Sequence, residues 1–249
     1  MTLQRPLSGR LALVTGAGQR VGRAIAEGLA GLGADVAVHF NSSREGADQV
    51  VSAIKVDGNR AQAFAADLTD AGAIEPLVAA VEQALGPISL LVNSAAVFER
   101  ADFVDTRVDR LDRLWALNTR APYLLTQAVA RRMLTRGGGD VVNVLDVGGV
   151  FETWKHFSAY TMTKAALAAL TKSLALELAP SIRVNAVAPG TVLPPGSVSE
   201  EQRHALEAKI PQGRFGTPAD VVEVVKFLVT GPRFMTGQVV AVDGGRSLA

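Results

Sequence analysis

Hydrophobic positions along this chain follow two alternating rhythms. Short unbroken apolar runs give way to longer stretches in which apolar residues recur every three or four positions. The runs predict strands at residues 11–15, 35–40, 60–65, 88–92, 140–145, 182–188 and 238–242. The recurring pattern predicts helices at 21–32, 43–56, 71–85, 108–117, 121–135, 158–178, 199–209 and 218–229, with a division near Pro122. Strands that are apolar throughout belong to a sheet covered on both faces. A strand–helix–strand alternation requires parallel strands joined by right-handed crossovers. The expected fold class is therefore α/β, a doubly wound parallel sheet of about seven strands with helices on both faces. No composition shift marks a linker, so residues 1–249 are expected to form a single domain. Residues 191–216, richer in Pro, Gly and charge, are expected to form a mobile substrate loop carrying one short helix.

Composition narrows the chemistry. With 48% hydrophobic and 20% charged residues the chain can bury a large core, and a net charge of +1 gives no basis for capturing nucleic acid or an anionic membrane. The absence of cysteine removes disulfides, thiolate metal sites and cysteine nucleophiles. Three scattered histidines, His39, His156 and His204, do not make a metal site, so no metal is expected. Residues 1–10 lack the apolar core of a signal peptide, and no run is long enough to span a bilayer. A cytoplasmic protein acting on a small molecule is the expectation.

Two stretches carry candidate chemistry. Thr15-Gly-Ala-Gly-Gln-Arg-Val-Gly22 lies between the first strand and the first helix. Glycines there let the backbone approach a diphosphate, and the helix N-terminus offers free N–H groups. Further on, a strand ending at Asp146 leads through a Gly-containing loop to a helix with Tyr160 and Lys164. Four residues apart, the two share a helix face, and an ammonium beside a phenol is expected to lower the phenol pKa. At the end of the second strand His39-Phe-Asn41-Ser42-Ser43-Arg44 contains no carboxylate before Glu45. An acidic residue there would bind a ribose 2′-hydroxyl; polar and basic groups suit a 2′-phosphate, which points to NADPH. Ser43 is also a natural helix N-cap.

In these motifs the chain resembles the short-chain dehydrogenase/reductase family, and the resemblance implies a Rossmann-like fold. Gly16 and Gly22 match T-G-x-x-x-G-x-G, with Arg20 in place of the middle glycine. Arg20 is similar to the Arg that the pteridine reductase subgroup carries there, and implies an added cation near the cofactor phosphates. The same turn, including Val21, is implied to hold the cofactor. Asp67-Leu68 resembles the adenine contact, and Pro189-Gly190 the turn that receives the nicotinamide amide. Asn93-Ser-Ala-Ala96 stands where the family has N-N-A-G.

The resemblance further implies a site of Asn118, Tyr160 and Lys164. Tyr160 would give the proton, Lys164 would bond the nicotinamide ribose, and Asn118 would hold a relaying water. The family's serine is replaced by Asp146. An ionised carboxylate repels the oxyanion of carbonyl reduction but suits a ring nitrogen that gains a proton. Pteridine reductases carry the same Asp. Phe98 matches their ring-stacking Phe, and Phe157 stands where they often carry Tyr, so Phe98, Phe157, Asp146 and Tyr160 are the implied substrate contacts. The Asp146–Tyr160 spacing is one residue longer than the family's, and Ala96 replaces a Ser of that subgroup.

The expected activity is NADPH-dependent reduction of a dihydropterin or dihydrofolate. The alternatives are a carbonyl reductase acting on 3-oxoacyl thioesters, sugars or quinones, and a non-catalytic NADP-binding sensor. Long apolar helices at 121–135 and 159–178, with the family's habits, suggest a homotetramer. Arg246 is expected to approach a neighbouring subunit.

Overall fold

Seven strands form one parallel sheet in the computed structural model, which describes residues 5–193 and 199–249. The strands are β1 (Leu11–Val14), β2 (Asp35–Phe40), β3 (Ala61–Ala65), β4 (Ile88–Asn93), β5 (Gly139–Val144), β6 (Ile182–Pro189) and β7 (Val239–Val242). Their order is β3-β2-β1-β4-β5-β6-β7. The chain winds outward from β1 to β3, then returns to lay β4 on the other side of β1. A crevice forms at that reversal, beyond the carboxyl ends of the strands.

Eight α-helices cover the sheet: α1 (Arg20–Gly31), α2 (Arg44–Val56), α3 (Ile74–Leu85), α4 (Val108–Trp115), α5 (Ala121–Leu134), α6 (Ser158–Glu177), α7 (Glu200–Glu207) and α8 (Pro218–Thr230). Helices α1, α2 and α8 bury Ile25, Leu29, Val50, Ile54, Val221 and Leu228 against one face. On the other face α3 and α5 pack Leu77, Val81, Leu125 and Met133. β5 is buried at every position, Asp140 and Asn143 included, as expected of a strand covered on both faces.

Element boundaries agree with the sequence pattern to within a few residues, apart from two local differences. Residues 71–73 form a 3-10 turn ahead of α3. The expected division near Pro122 is not a break: α4 and α5 are joined by a π turn, Ala116–Arg120, with Pro122 in the first turn of α5. Proline has no N–H to return to the carbonyl four residues back, which is that of Asn118, so a wider turn is a natural solution. The short helix expected at 199–209 is α7, whose Ser199 and Gln202 cap each other reciprocally. The rest of the expected substrate loop includes residues 194–198, which lie outside the described residues.

Two buried polar groups tie the layers together. Asn93 Nδ2 donates to Asn143 Oδ1 (2.8 Å) and to Thr126 Oγ1 (3.2 Å), and Asn143 Nδ2 donates to Thr171 Oγ1 (2.9 Å). This chain of side chains joins α5, β4, β5 and α6. At the opposite end of β5, Asp140 accepts ion pairs from Arg10 (2.7 Å), Arg183 (2.7 Å) and Arg233 (3.4 Å). That cluster fastens the amino ends of the strands, away from the crevice.

Candidate active site

The turn after β1 is built for close backbone approach. Gly16 has φ 65°, and a Cβ on it would stand 2.9 Å from Ala95 Cα. A Cβ on Gly22 would collide with the Gly16 carbonyl, and one on Gly18 with Ser43. Only glycine fits these three positions as the chain stands. Arg20 occupies a left-handed backbone conformation at φ 53°, the geometry of the glycine it replaces. Its side chain is exposed at the mouth of the turn. Val21 is half-buried against the core, so only its main chain is offered to a ligand.

Two side chains that the sequence did not mark hold this turn. His39 Nδ1 accepts from Gly16 N–H (3.1 Å) while Nε2 donates to the Ala66 carbonyl (3.1 Å). The His39 carbonyl also accepts from Ala17 N–H (2.8 Å). Both ring nitrogens are thus used only in the neutral tautomer with the proton on Nε2. Burial lowers the His39 pKa to about 4. Thr15 Oγ1 accepts from Ser94 N–H (2.9 Å) and Ala95 N–H (3.0 Å), fixing the end of β4 beside β1.

Asn41, Ser42 and Arg44 are exposed beyond β2, with Ser43 half-buried. The Arg44 guanidinium lies over Phe40, 5.9 Å from the ring centroid. Ser43 holds the N-cap position of α2, but its side chain makes no capping bond. Asp67 is exposed, and bonds from the Thr69 hydroxyl and N–H lower its pKa. The Leu68 side chain is in the core, so its assignment as a cofactor contact is corrected to its main chain alone. The same correction applies to Asn93, whose buried amide serves Asn143 and Thr126 instead of the crevice. Pro189-Gly190 closes the end of β6: the Pro189 carbonyl accepts from Val147 N–H (3.0 Å).

Across the crevice, the Tyr160 hydroxyl donates to Asp146 Oδ2 at 2.8 Å. The extra residue between them does not separate them. Residues 147–152 take it up in a compact turn, where the N–H groups of Val150, Phe151 and Glu152 all donate to the Val147 carbonyl. Gly149, at φ 90°, makes the turn fit under α6. Asp146 Oδ1 accepts from Gly148 N–H at 2.9 Å, which locks the carboxylate in place. Lys164 is buried one helical turn beyond Tyr160 and donates to the Val144 carbonyl at 2.9 Å.

The electrostatic expectation for Tyr160 is overturned. Its pKa is raised well above the ordinary value, first by burial and then by the Asp146 charge. Lys164 does not reverse this. Burial lowers its own pKa to about 8, against the pull of Asp146. Burial also raises Asp146, opposed by bonds from Gly148 and Tyr160 and by the Lys164 charge. The resting site therefore keeps Tyr160 as a protonated phenol.

Asn118 sits in the π turn with its side chain fully occupied. Its Oδ1 accepts from Val97 N–H (2.9 Å), and its Nδ2 donates to the Val97 carbonyl (2.9 Å) and Thr163 Oγ1 (3.1 Å). It positions the loop after β4 against α6 and makes no direct bond to Lys164. Phe98 follows on that loop, half exposed. Its ring stacks on Phe157 at 4.8 Å and meets Tyr160 edge-on at 4.8 Å. Trp154, which the sequence did not mark, meets Phe98 at 6.2 Å and Phe157 at 5.9 Å. Arg246 touches its own chain: Glu152 (3.1 Å), Thr191 Oγ1 (3.0 Å) and the face of Trp154. Among the described residues no group of acidic and histidine side chains could hold a metal ion, and no helix is long and apolar enough to cross a membrane.

Comparison with known proteins gives a consistent result. A family model described as enoyl-(acyl carrier protein) reductase matches residues 16–247. L-rhamnose 1-dehydrogenase (NAD(P)+) of Sphingomonas sp. is 36% identical over 96% of this chain and 96% of that protein. Gluconate 5-dehydrogenase of Gluconobacter oxydans is 35% identical over 96% of this chain and 95% of that protein. A crystal structure from Sinorhizobium meliloti 1021, described as a short-chain alcohol dehydrogenase, is 33% identical, covers 98% of both chains and superposes with a TM-score of 0.92.

Proposed function

Because the chain belongs to the short-chain dehydrogenase/reductase family, we propose that this oxidoreductase is an NADPH-dependent reductase of a flat, nitrogen-containing ring of the dihydropterin or dihydrofolate type. The observation that carries this reading is the 2.8 Å hydrogen bond from Tyr160 to Asp146. Bound NADPH supplies a hydride. The glycine turn with Arg20 would hold its diphosphate, Asn41, Ser42, Ser43 and Arg44 its 2′-phosphate, Asp67 its adenine, and Pro189-Gly190 its carboxamide. The side-chain-free approach at Gly16, Gly18 and Gly22 fits such a group. Lys164, one turn from Tyr160 and bonded to the Val144 carbonyl, would be the group to bond the nicotinamide ribose.

Tyr160 is protonated in the resting site and so carries a proton to give, although its raised pKa makes it a weaker acid than an ordinary phenol. Asp146 orients the phenol and places negative charge where a ring nitrogen becomes N–H. The same charge opposes the oxyanion of a reduced carbonyl. Phe98 and Phe157, stacked on each other beside Tyr160, supply an aromatic wall against which a flat substrate would lie.

A second reading, oxidoreduction between a carbonyl and a hydroxyl on a sugar-like substrate, is favoured by the names of the two dehydrogenases above. Neither is named for a pterin. Initial rates of NADPH and NADH turnover with dihydropterin, dihydrofolate, sugars, 3-oxoacyl thioesters and quinones separate the readings. We expect pterins to exceed ketones by roughly tenfold or more in kcat/KM, which is about 1.4 kcal/mol in the transition state. Turnover of ketones or sugars alone would select the second reading, and equal kcat/KM with NADH would reject the cofactor preference. Silence across the panel would return the non-catalytic sensor.

We also propose a cytoplasmic homotetramer. The exposed apolar side chains of Trp115 on α4 and Tyr123 on α5, with Ala166, Ala169 and Leu170 of α6, line a groove of about 400 Å³. Light scattering that finds a monomer would reject it.

A further inference from the structure

The substrate side of the crevice is held in place by a residue about ninety positions further along the chain. Arg246 lies in the terminal 3-10 turn, Arg246–Leu248, and its side chain is largely buried. Its Nε pairs with Glu152 Oε1 at 3.1 Å, its Nη1 donates to Thr191 Oγ1 at 3.0 Å, and its guanidinium carbon stands 5.6 Å from the Trp154 ring centroid. All three partners border the crevice: Glu152 and Trp154 on the turn after Asp146, and Thr191 just beyond Gly190. The chain has only two Trp and two Tyr, and one of each belongs to the cluster with Phe98 and Phe157.

The position of Trp154 has a cost. Its Nε1–H is buried with no acceptor among the described residues. A buried donor without a partner disfavours folding, and the ring would turn toward water unless clamped. Gly148 lies against one part of the ring, where a Cβ would stand 2.7 Å from it. Arg246 covers a face, and Phe98 and Phe157 meet the remaining edges. A cation over the indole, 5.6 Å from the ring centroid, and ion-paired to the same turn makes a two-point clamp, for which a shorter or uncharged side chain has no equivalent.

We propose that Arg246 is a positioning residue for the substrate pocket, holding the 147–154 turn through Glu152 so that Trp154, Phe157 and Phe98 form the aromatic wall beside Tyr160. The proposal deepens the flat-ring reading above and rests on it for the identity of the substrate, but the clamp itself can be observed without any substrate. Arg246 does not touch the reacting atoms. Its loss is read as a displaced wall, which raises KM, and leaves the Tyr160–Asp146 contact and hence kcat largely in place.

The test uses the full-length protein in a Trp115→Phe background, so that emission reports Trp154 alone. Arg246→Met and Glu152→Gln are each expected to shift the Trp154 emission to the red and to increase its quenching by acrylamide. Both should raise KM roughly tenfold with kcat within about threefold, and the double variant should be no worse than either single one. Arg246→Lys, which keeps the charge and loses the planar guanidinium, should recover part of the KM. KM is measured on whichever class the parent protein turns over. If that class is ketones alone, the pterin reading falls, and the emission and KM shifts still decide the clamp. Unchanged Trp154 emission and KM in Arg246→Met would overturn the proposal. So would a loss confined to kcat, or additive effects of the two single variants. Should Arg246→Met fail to fold, Glu152→Gln and Arg246→Lys carry the same readouts.

Discussion

The two walls of the crevice are made of different material. On the cofactor side, β1, the glycine turn and α1 present backbone, shaped by the absence of side chains and braced by His39 and Thr15. On the substrate side, the turn after β5 and the start of α6 present a carboxylate, a phenol and an aromatic cluster. The first wall can accept one kind of ligand, because a diphosphate needs N–H groups and room. The second is specified by side chains, and on the reading proposed above it is there that the substrate would be selected.

The largest effect should come from breaking the second wall without touching the first. Tyr160→Phe removes the proton donor and is expected to lower kcat by about 10²–10⁴-fold. NADPH affinity, measured by fluorescence titration, should stay within a few-fold. A comparable loss of affinity would mean that the two walls are not separable.

The first wall should fail in acid. The neutral His39 ring is bonded at both nitrogens, and its folded-state pKa of about 4 lies below the ordinary 6.5. Its stabilisation is therefore complete above pH 6.5 and is lost as the pH falls through 4. The gap corresponds to about 3 kcal/mol. Urea midpoints between pH 7 and pH 4 should show this slope, and His39→Gln should flatten it. An unchanged slope would remove His39 as the brace.

Asp146→Ser restores the family's residue and tests the chemistry of the second wall. It should lower kcat/KM for pterins by roughly 10–100-fold, about 1.4–2.7 kcal/mol, and improve ketone reduction. With the Asp146 charge gone, the Tyr160 phenol should also titrate at lower pH, though burial still holds it above the ordinary value. Ultraviolet titration of tyrosinate in the parent protein and the variant follows the Tyr160 phenol, and initial rates follow the turnover. Improved pterin turnover in this variant would sink the proposed role of Asp146.

The smallest effect is expected at Arg20, which holds a left-handed conformation that glycine adopts without strain. Arg20→Gly should relieve about 1 kcal/mol of that strain and weaken NADPH and NADH binding alike, as loss of a diphosphate contact would. Thermal melts and paired titrations measure the two.

The sheet was legible because its central strands are buried on both faces and read as largely apolar runs, and β2 falls on the residues the pattern marks; the edge strands β3 and β7 are more exposed. Asp146, Tyr160 and Lys164 were legible because they lie close together in sequence. The order of effects on Tyr160 was not, since burial depends on what the rest of the chain places around the phenol. Trp154 and Arg246 carry no local pattern at all: one is an isolated aromatic in a loop, the other an arginine near the end, and only the folded chain joins them. His39 was visible as a residue at the end of β2, but its bond to Gly16 depends on the pairing of β1 with β2.

The amide chain Thr126–Asn93–Asn143–Thr171 has an evolutionary consequence. Asn93 and Asn143 face each other across neighbouring strands, and the Asn93 amide N–H fills the Asn143 oxygen, while Asn93 Oδ1 is buried with no partner among the described residues. Replacing one alone strands its partner, whereas replacing both with apolar residues of similar shape removes the demand. The two positions should therefore be inherited as a pair, with any viable route between asparagine and non-asparagine versions passing through a second compensating change. The helices that carry the Asn118 turn and Tyr160 share that inheritance, since Thr126 and Thr171 are its outer members.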